Sequence, residues 1–161
     1  MGVQDLNNRF QYKRDSEQYG LQERWAILRN PEGPLVGDCE DYALTALWML
    51  KGKDDAALHQ SLKTGEAKIW FCYTPNGEAH AVLEFNGKLI DNIQKEWVSL
   101  SDLKAKGYEM SRPFTYKEVV LRLNAGNVGV MPGQLKENSN KKVFGLVGIA
   151  VAVGVIIWLV S

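Results

Sequence analysis

The amino-acid sequence predicts an α+β domain followed by one C-terminal membrane-spanning helix. An apolar helix pattern lies in the first third of the chain, and short apolar runs separated by turn signals follow it. An uncharged apolar stretch comes last. Helices that precede an antiparallel sheet are typical of the α+β class. The predicted boundaries are 1–125 for the domain, 126–142 for a flexible linker and 143–160 for the membrane helix.

Helices are predicted in the first part of the domain. Short helices are expected at 3–9 and at about 21–28, and a more polar helix is expected at 53–63. The segment 30–37 contains two prolines and two glycines, which is typical of turns. It separates the short helices from the main helix of the domain.

The main helix is predicted to begin after Asp38 and to end at Gly52. Beyond Tyr42 it is almost wholly apolar, and a helix that is apolar on most faces lies inside its domain. Asp38 has Asp41 three residues further on, an arrangement that resembles a capping box. The sequence therefore places a capped helix at the centre of the core.

Strands are predicted in the second part of the domain, where the apolar runs are short and the turn signals PNGE and NG lie between them. The expected strands are 67–73, 80–85, 88–93 and, as the last one, 118–124. A short helix is expected at 101–106. The glycines, asparagines and lysines that follow show no periodicity, which is typical of a linker.

The dipeptide Asn86-Gly87 is the strongest short-range signal for a two-residue type I′ hairpin turn. The strand register that follows from this turn places His80 and Asp91 on one face as diagonal neighbours, with backbones about 7–8 Å apart. Asn92 points to the opposite face, because successive side chains alternate along a strand. The register therefore selects Asp91 as the partner of His80.

These residues suggest a catalytic group. A carboxylate beside an imidazole fixes the tautomer of the ring and stabilises the imidazolium, so Asp91 suits the role of orienter for a basic His80. Cys39 suits the nucleophile, because free amides and the positive dipole end at the start of a helix favour a thiolate. A small buried cysteine, a strand histidine and a hairpin aspartate are also common on their own, so a structural role stays open at this point.

Two segments resemble the bacterial transglutaminase-like cysteine proteinases. WAILRNPEGPLVGDCEDYALTALWML covers 25–50, and HAVLEFNGKLIDN covers 80–92. The family pattern contains a Tyr-x-x-Asp segment, a Trp-Ala pair, GDCEDYA, His-x-Val-Leu and Asp-Asn. The residues that match are Tyr12, Asp15, Trp25, Ala26, residues 37–43, His80, Val82, Leu83, Asp91 and Asn92. The resemblance extends over roughly residues 6–120.

The resemblance implies a papain-like, transglutaminase-like α+β fold, with the nucleophile on a buried central helix packed against an antiparallel sheet. It also implies a Cys39–His80–Asp91 triad and the chemistry of a thiol peptidase or amidase. The hairpin register and the family pattern both select Asp91.

Acidic residues surround the predicted nucleophile, although nearby negative charge opposes thiolate formation. The resemblance implies a calcium site at Asp38 and Glu40, since well-understood members of the family depend on calcium held by acids beside the nucleophile. Oxygen ligands suit this hard cation, and its charge would reverse the field at the thiol. The alternative is that Asp38 caps the helix, while Glu40 and Asp41 favour its positive end.

Composition argues against several other classes of protein. The charged residues after position 135 are Lys136, Glu137, Lys141 and Lys142, which leaves sixteen basic and eighteen acidic side chains in the first 135 residues. This mildly acidic balance does not favour nucleic-acid binding. The two cysteines form neither a zinc motif nor a disulfide framework.

Residues 143–160 contain no charged and no strongly polar side chain, which predicts a membrane anchor. Lys141 and Lys142 precede it, so the positive-inside rule places the soluble domain on the cytoplasmic side. The first fifteen residues lack the apolar core of an export signal, unlike the usual family setting. This topology would also suit a bacteriophage protein that acts at the host envelope.

The sequence therefore supports two hypotheses. The first is a membrane-anchored thiol hydrolase that cleaves a peptide or amide bond, in a protein or in cell-wall peptide, through an acyl-enzyme intermediate. The second is a non-catalytic membrane-attached module, such as a virion or host-envelope component, that retains the fold. The substrate would be a protein or peptide in the first case.

Overall fold

The computed structural model of the protein describes residues 2–129. These residues form an α+β fold, as predicted. Its helices are α1 (Val3–Arg9), α2 (Asp15–Tyr19), α3 (Cys39–Leu50), α4 (Asp55–Thr64), α5 (Leu100–Ala105) and α6 (Tyr116–Val128). Its strands are β1 (Phe10–Tyr12), β2 (Leu35–Gly37), β3 (Ala67–Tyr73), β4 (Ala79–Phe85), β5 (Lys88–Ile90) and β6 (Glu109–Pro113).

Four strands form an antiparallel sheet in the order β5-β4-β3-β6. The hairpin between β4 and β5 has the predicted register, with Phe85 opposite Lys88. Asn86 and Gly87 have φ angles of 51° and 75°, the positive values that a type I′ turn requires at both central positions. The predicted hairpin is therefore confirmed.

Helix α3 is the centre of the core and packs on strand β4. Side chains on several of its faces are inaccessible to solvent, among them Tyr42, Leu44 and Leu47. This burial explains the nearly continuous apolar sequence of the helix. The predicted buried helix is confirmed, and Cys39 is its first residue.

The expectation of a helix at 21–28 is wrong, because this segment is irregular. Its backbone amides bind side chains of α3 instead of forming helical hydrogen bonds. Ala26 N donates to Asp41 Oδ1 at 2.6 Å, and Leu28 N donates to Thr45 Oγ1 at 2.9 Å. The segment is thus held against the start of α3.

The expectation of a strand at 118–124 is also wrong, because these residues lie in α6. Thr115 and Glu118 form a capping box, in which each side chain accepts a hydrogen bond from the backbone of the other residue. Local capping therefore outweighs the β-branched residues that suggested a strand. The helix continues to Val128, so the predicted linker has its first three residues, 126–128, in α6.

Helix α6 lies directly on the irregular segment. A Cβ atom at Gly126 would lie 2.1 Å from the carbonyl oxygen of Trp25, so only glycine fits here. Arg24 Nε donates to the carbonyl oxygen of Gly126 at 3.1 Å. Trp25 is thereby fixed beneath α6 and beside Phe114, with ring centroids 5.0 Å apart.

Within residues 2–129, no helix combines the length and the apolar character needed to cross a membrane. The predicted membrane helix at 143–160 lies outside the described residues.

Candidate active site

His80 and Asp91 form a buried pair at the β4–β5 hairpin. Nε2 of His80 lies 2.9 Å from Oδ2 of Asp91. The side chain of Asp91 is fully buried, and that of His80 is nearly so. The hairpin brings the two residues together as the register predicts. Because Nε2 is engaged with the carboxylate, Nδ1 is the ring nitrogen left for a reacting group.

Asp91 is held on both of its carboxylate oxygens. Oδ1 accepts from the backbone amides of Ile93 and Gln94, at 3.1 and 2.6 Å. Oδ2 accepts from the hydroxyl of Tyr108 at 3.0 Å, in addition to its contact with His80. Burial alone would raise the pKa of Asp91, but these hydrogen bonds hold it below its ordinary value. Asp91 is therefore a fixed, ionised carboxylate.

Cys39 lies at the start of α3, where the helix packs on β4. Its thiol donates to Oε2 of Glu40 at 3.0 Å. The backbone amide of Ala81, the residue after His80, lowers the pKa of the thiol, but burial and the charge of Glu40 are larger effects in the opposite direction. The strand that carries His80 packs on α3, although His80 is not itself among the hydrogen-bond partners found for Cys39 in the described part of the chain.

The environment of Cys39 favours the neutral thiol. The residue is 8% exposed. Burial raises its pKa well above the ordinary value, and the charges of Glu40 and Asp38 act in the same direction. The first turn of a helix favours a thiolate, but here desolvation and negative neighbours are larger effects. The structure thus shows a nucleophile candidate in a protonated form.

Three aspartates converge near Cys39, and Asp38, the residue before it, is one of them. One carboxylate oxygen from each of Asp15, Asp38 and Asp41 lies within 4.8 Å of the other two. Asp15 and Asp41 are 2% and 0% exposed. Each of the three carboxylates has one buried oxygen that no hydrogen-bond donor reaches among the described residues.

Crowding of these acids changes their protonation. Burial, followed by the charge of Glu40, raises the pKa of Asp38 to about 10. Burial raises the pKa of Asp41 to about 8, although the amide of Ala26 opposes this effect. Burial also raises the pKa of Asp15. Such carboxylates need either protons or a cation to be stable together.

The residues around the cluster leave room for it. A Cβ atom at Gly37 would lie 2.5 Å from Oδ2 of Asp41, so any larger residue would press on this carboxylate.

Asp38 occupies the N-cap position of α3, but its side chain makes no capping hydrogen bond. The expected capping box of Asp38 and Asp41 is therefore wrong. Asp38 and Glu40 do lie close together, since one ligand atom from each of Asp38, Cys39 and Glu40 lies within 4.8 Å of the other two.

A cleft of about 570 Å³ is lined by sequence neighbours of Cys39 and His80. Glu40 follows Cys39, Ala79 precedes His80, and both are part of its wall, although Cys39 and His80 are not. Phe71 and Phe114 supply an aromatic surface, and the guanidinium of Arg122 lies 5.0 Å from the ring centre of Phe114.

Sequence reasoning gave no role to Tyr108. Its hydroxyl donates to the carboxylate of Asp91 from outside the hairpin, and no motif near residue 108 indicates this contact. Asp15 was noted only as a match to the family pattern, and the structure places it in the acidic cluster. Neither contact could be found from spacing, because both join distant parts of the chain.

Comparison with protein families identifies a match. A family described as bacterial transglutaminase-like cysteine proteinase (BTLCP) matches residues 3–109, which is more than half of the chain. No curated protein matches the chain.

Proposed function

The chain belongs to the bacterial transglutaminase-like cysteine proteinases, and from this premise we propose that Cys39, His80 and Asp91 are its catalytic triad. The observation that carries the proposal is the buried contact between His80 and Asp91, because His80 lies on β4, the strand that packs against the helix that begins with Cys39. Asp91 orients the ring and stabilises its protonated form. His80 then has one nitrogen, Nδ1, with which to accept a proton.

The proposed reaction is acyl transfer. Nδ1 of His80 takes the proton of the Cys39 thiol, and the thiolate attacks the carbonyl carbon of a peptide or amide bond. The carbon–nitrogen bond breaks, the leaving amine takes the proton from Nδ1, and the acyl group stays on the sulfur. Water then attacks the thioester, gives its proton to Nδ1, and releases the acid. The sulfur recovers that proton as the free thiol.

The start of α3 supplies the stabilising group for the tetrahedral intermediate. Amides of the first helical turn have no partner within the helix, and the dipole is positive there. The backbone N–H of Cys39 is therefore placed to bind an oxyanion that develops next to its own sulfur.

The cleft beside Glu40 and Ala79 is the proposed site for the substrate chain. Its volume, and the fact that Glu40 and Ala79 adjoin Cys39 and His80 in the chain, support a peptide or protein substrate. The aromatic surface of Phe71 and Phe114 suits apolar parts of such a chain.

We further propose that the acidic cluster binds calcium. The residues fit this ion, because Asp15, Asp38 and Asp41 offer buried oxygens without hydrogen-bond donors, and oxygen is the ligand atom that calcium prefers. The sequence suggested Asp38 together with Glu40. Asp38 lies close to Glu40 and also to Asp15 and Asp41. Because Glu40 accepts a hydrogen bond from the Cys39 thiol, Asp15 and Asp41 are better placed to bind the ion together with Asp38. When bound, the cation would supply positive charge that offsets the acids around Cys39.

Membrane attachment through residues 143–160, with the enzyme domain on the cytoplasmic side, remains a proposal from the sequence. Fractionation of cells that express the full chain tests it. The protein should stay with the membrane in alkaline carbonate, and the domain should be cut only when protease reaches the cytoplasmic face.

Labelling with a peptidyl fluoromethyl ketone tests the triad. This electrophile reacts with a thiolate that a histidine assists, so mass spectrometry of the full chain should find one modified residue, Cys39. The variant His80→Ala should stay unmodified, whereas Cys72→Ala should react like the wild type. Equal labelling of wild type and His80→Ala would contradict the proposed role of His80.

A further inference from the structure

Tyr108 lies in the protein interior next to the histidine–aspartate pair. It precedes β6 and is 4% exposed. Its hydroxyl lies 3.0 Å from Oδ2 of Asp91, the same oxygen that contacts His80. The ring centres of Tyr108 and His80 are 6.0 Å apart. A third side chain therefore reaches the pair from a different strand.

The direction of each hydrogen bond around Tyr108 is fixed by chemistry. An ionised carboxylate only accepts, so the phenol donates to Asp91. Nε2 of Gln94 donates to the phenol oxygen at 3.2 Å. Oε1 of Gln94 accepts from Nζ of Lys106 at 2.5 Å, which sets the orientation of the amide. The chain of donors thus runs from Lys106 through Gln94 and Tyr108 to Asp91.

Tyr108 remains a donor over a wide pH range. Burial raises its pKa above the ordinary value, and the negative charge of Asp91 acts in the same direction, although the amide of Gln94 opposes both. The hydroxyl therefore stays protonated under conditions in which exposed phenols ionise.

We propose that Tyr108 is a positioning residue for the triad, fixing the Asp91 carboxylate so that its Oδ2 faces Nε2 of His80. The proposal rests on the catalytic role assigned above to His80. The backbone amides of Ile93 and Gln94 anchor only Oδ1, which leaves the carboxylate free to turn about that atom. The phenol anchors the second oxygen and stops this rotation. The imidazole, which is bonded to the same oxygen, is fixed with it.

Tyr108→Phe in the full chain tests the proposal, since it removes one oxygen and keeps the ring. The chain has two histidines, so ¹⁵N-histidine labelling gives two imidazole systems, and His59→Gln identifies the one from His80. Without the phenol on Oδ2, the carboxylate can turn away from Nε2, so the hydrogen bond from Nε2 should lengthen on average and the Nε2–H proton resonance should move upfield. The rate of Cys39 alkylation should fall about tenfold, as is typical when a residue that orients a functional histidine is removed.

Tyr42→Phe is the matched control, because the buried hydroxyl of Tyr42 donates to Oδ1 of Asn7 and not to the triad. It should lower the unfolding temperature without moving the His80 resonance. Gln94→Ala is the second variant, since it keeps Tyr108 and removes the donor that orients its hydroxyl. It should move the resonance in the same direction by a smaller amount.

The His80 resonance tests the positioning role of Tyr108, and the reactivity of Cys39 tests the proposed catalytic function. A His80 resonance that is the same in wild type, Tyr108→Phe and Gln94→Ala would overturn the positioning role. The His80 resonance could also move as expected while Cys39 reacts no faster than an ordinary thiol, at a rate that His80→Ala does not change. That combination would uphold the positioning of Asp91 and overturn the proposed catalytic function.

Discussion

The thiol of Cys39 donates its hydrogen bond to the carboxylate of the next residue, Glu40, with 3.0 Å between Sγ and Oε2. Glu40 is also part of the wall of the 570 Å³ cleft. One side chain therefore contacts the proposed nucleophile and borders the space through which a substrate would approach. This contact, together with burial, keeps the thiol protonated in the structure described.

Glu40→Gln should make Cys39 more reactive in the absence of calcium. The substitution keeps the size of the side chain and removes a negative charge that opposes the thiolate, so the pKa of the thiol should fall. The pH dependence of iodoacetamide alkylation, measured in chelator, reports this change. Glu78→Gln is the control, because Glu78 is exposed and pairs with Arg14. A profile that moves equally in both variants would show that the contact with Glu40 has no specific effect.

Calcium should stabilise the full chain. A ligand that binds only the folded state raises the unfolding temperature by mass action. We therefore expect a calcium-dependent rise in the midpoint of thermal unfolding, and magnesium should give a smaller one because it demands a stricter geometry. Identical unfolding in calcium and in chelator would contradict a site at Asp15, Asp38 and Asp41.

Asp41→Asn should change stability in opposite directions with and without calcium. In chelator the variant should be more stable than wild type, because one of three crowded carboxylates becomes neutral and can donate a hydrogen bond. In calcium it should be less stable, because a ligand is lost. Asp55→Asn, at an exposed residue paired with Arg29, should show no such reversal. The same order of stability in both buffers would argue against Asp41 as a ligand.

Asp91 should contribute stability that acid removes. Its pKa in the folded protein lies below the ordinary value, so the contribution is fully present above about pH 4 and is lost as the pH falls through the folded-state pKa. Asp91→Asn should lose about 2 kcal/mol of unfolding free energy at pH 7, the scale of hydrogen bonds to a charged group. Its stability should then vary less than that of wild type below pH 4. Urea unfolding at several pH values measures both effects, and equal acid slopes would contradict the assignment.

Gly126→Ala should destabilise the domain although alanine is the better helix former. The added Cβ would lie 2.1 Å from the carbonyl oxygen of Trp25, and overpacking of this kind costs about 1–3 kcal/mol. Asn127→Ala is the control on the same helix, because Asn127 is exposed and the change should be neutral or slightly stabilising. Urea unfolding compares them, and a stable Gly126→Ala would mean that α6 does not press on the segment of Trp25.

Several parts of the fold could be predicted because their signals are local. Asn86-Gly87 defines its own turn, and the alternation of side chains then carries the register as far as Asp91. The apolar composition of α3 predicts its burial. The strand expected at 118–124 is instead helix α6, because the capping box of Thr115 and Glu118 begins a helix there.

Other features depend on contacts between distant residues and leave no local pattern. The segment 21–28 has helical composition, yet two of its backbone amides, at Ala26 and Leu28, donate hydrogen bonds to side chains of α3. Tyr108 reaches Asp91 only after β6 has joined the sheet. Asp15, the first residue of α2, comes close to Asp38 only in the folded chain. Tertiary structure decides these contacts, so single-sequence reasoning could place Asp91 beside His80 but could not find the other groups that hold Asp91.

The pH dependence of Cys39 alkylation in the full chain tests the central claim most directly. Wild type in calcium, wild type in chelator and His80→Ala in calcium would be compared, each with Cys72 replaced by alanine so that one thiol reports. The account predicts fast alkylation at neutral pH in calcium, a slower reaction in chelator, and loss of the fast reaction in His80→Ala. The same slow, ordinary thiol profile in all three would contradict a histidine-activated nucleophile at Cys39.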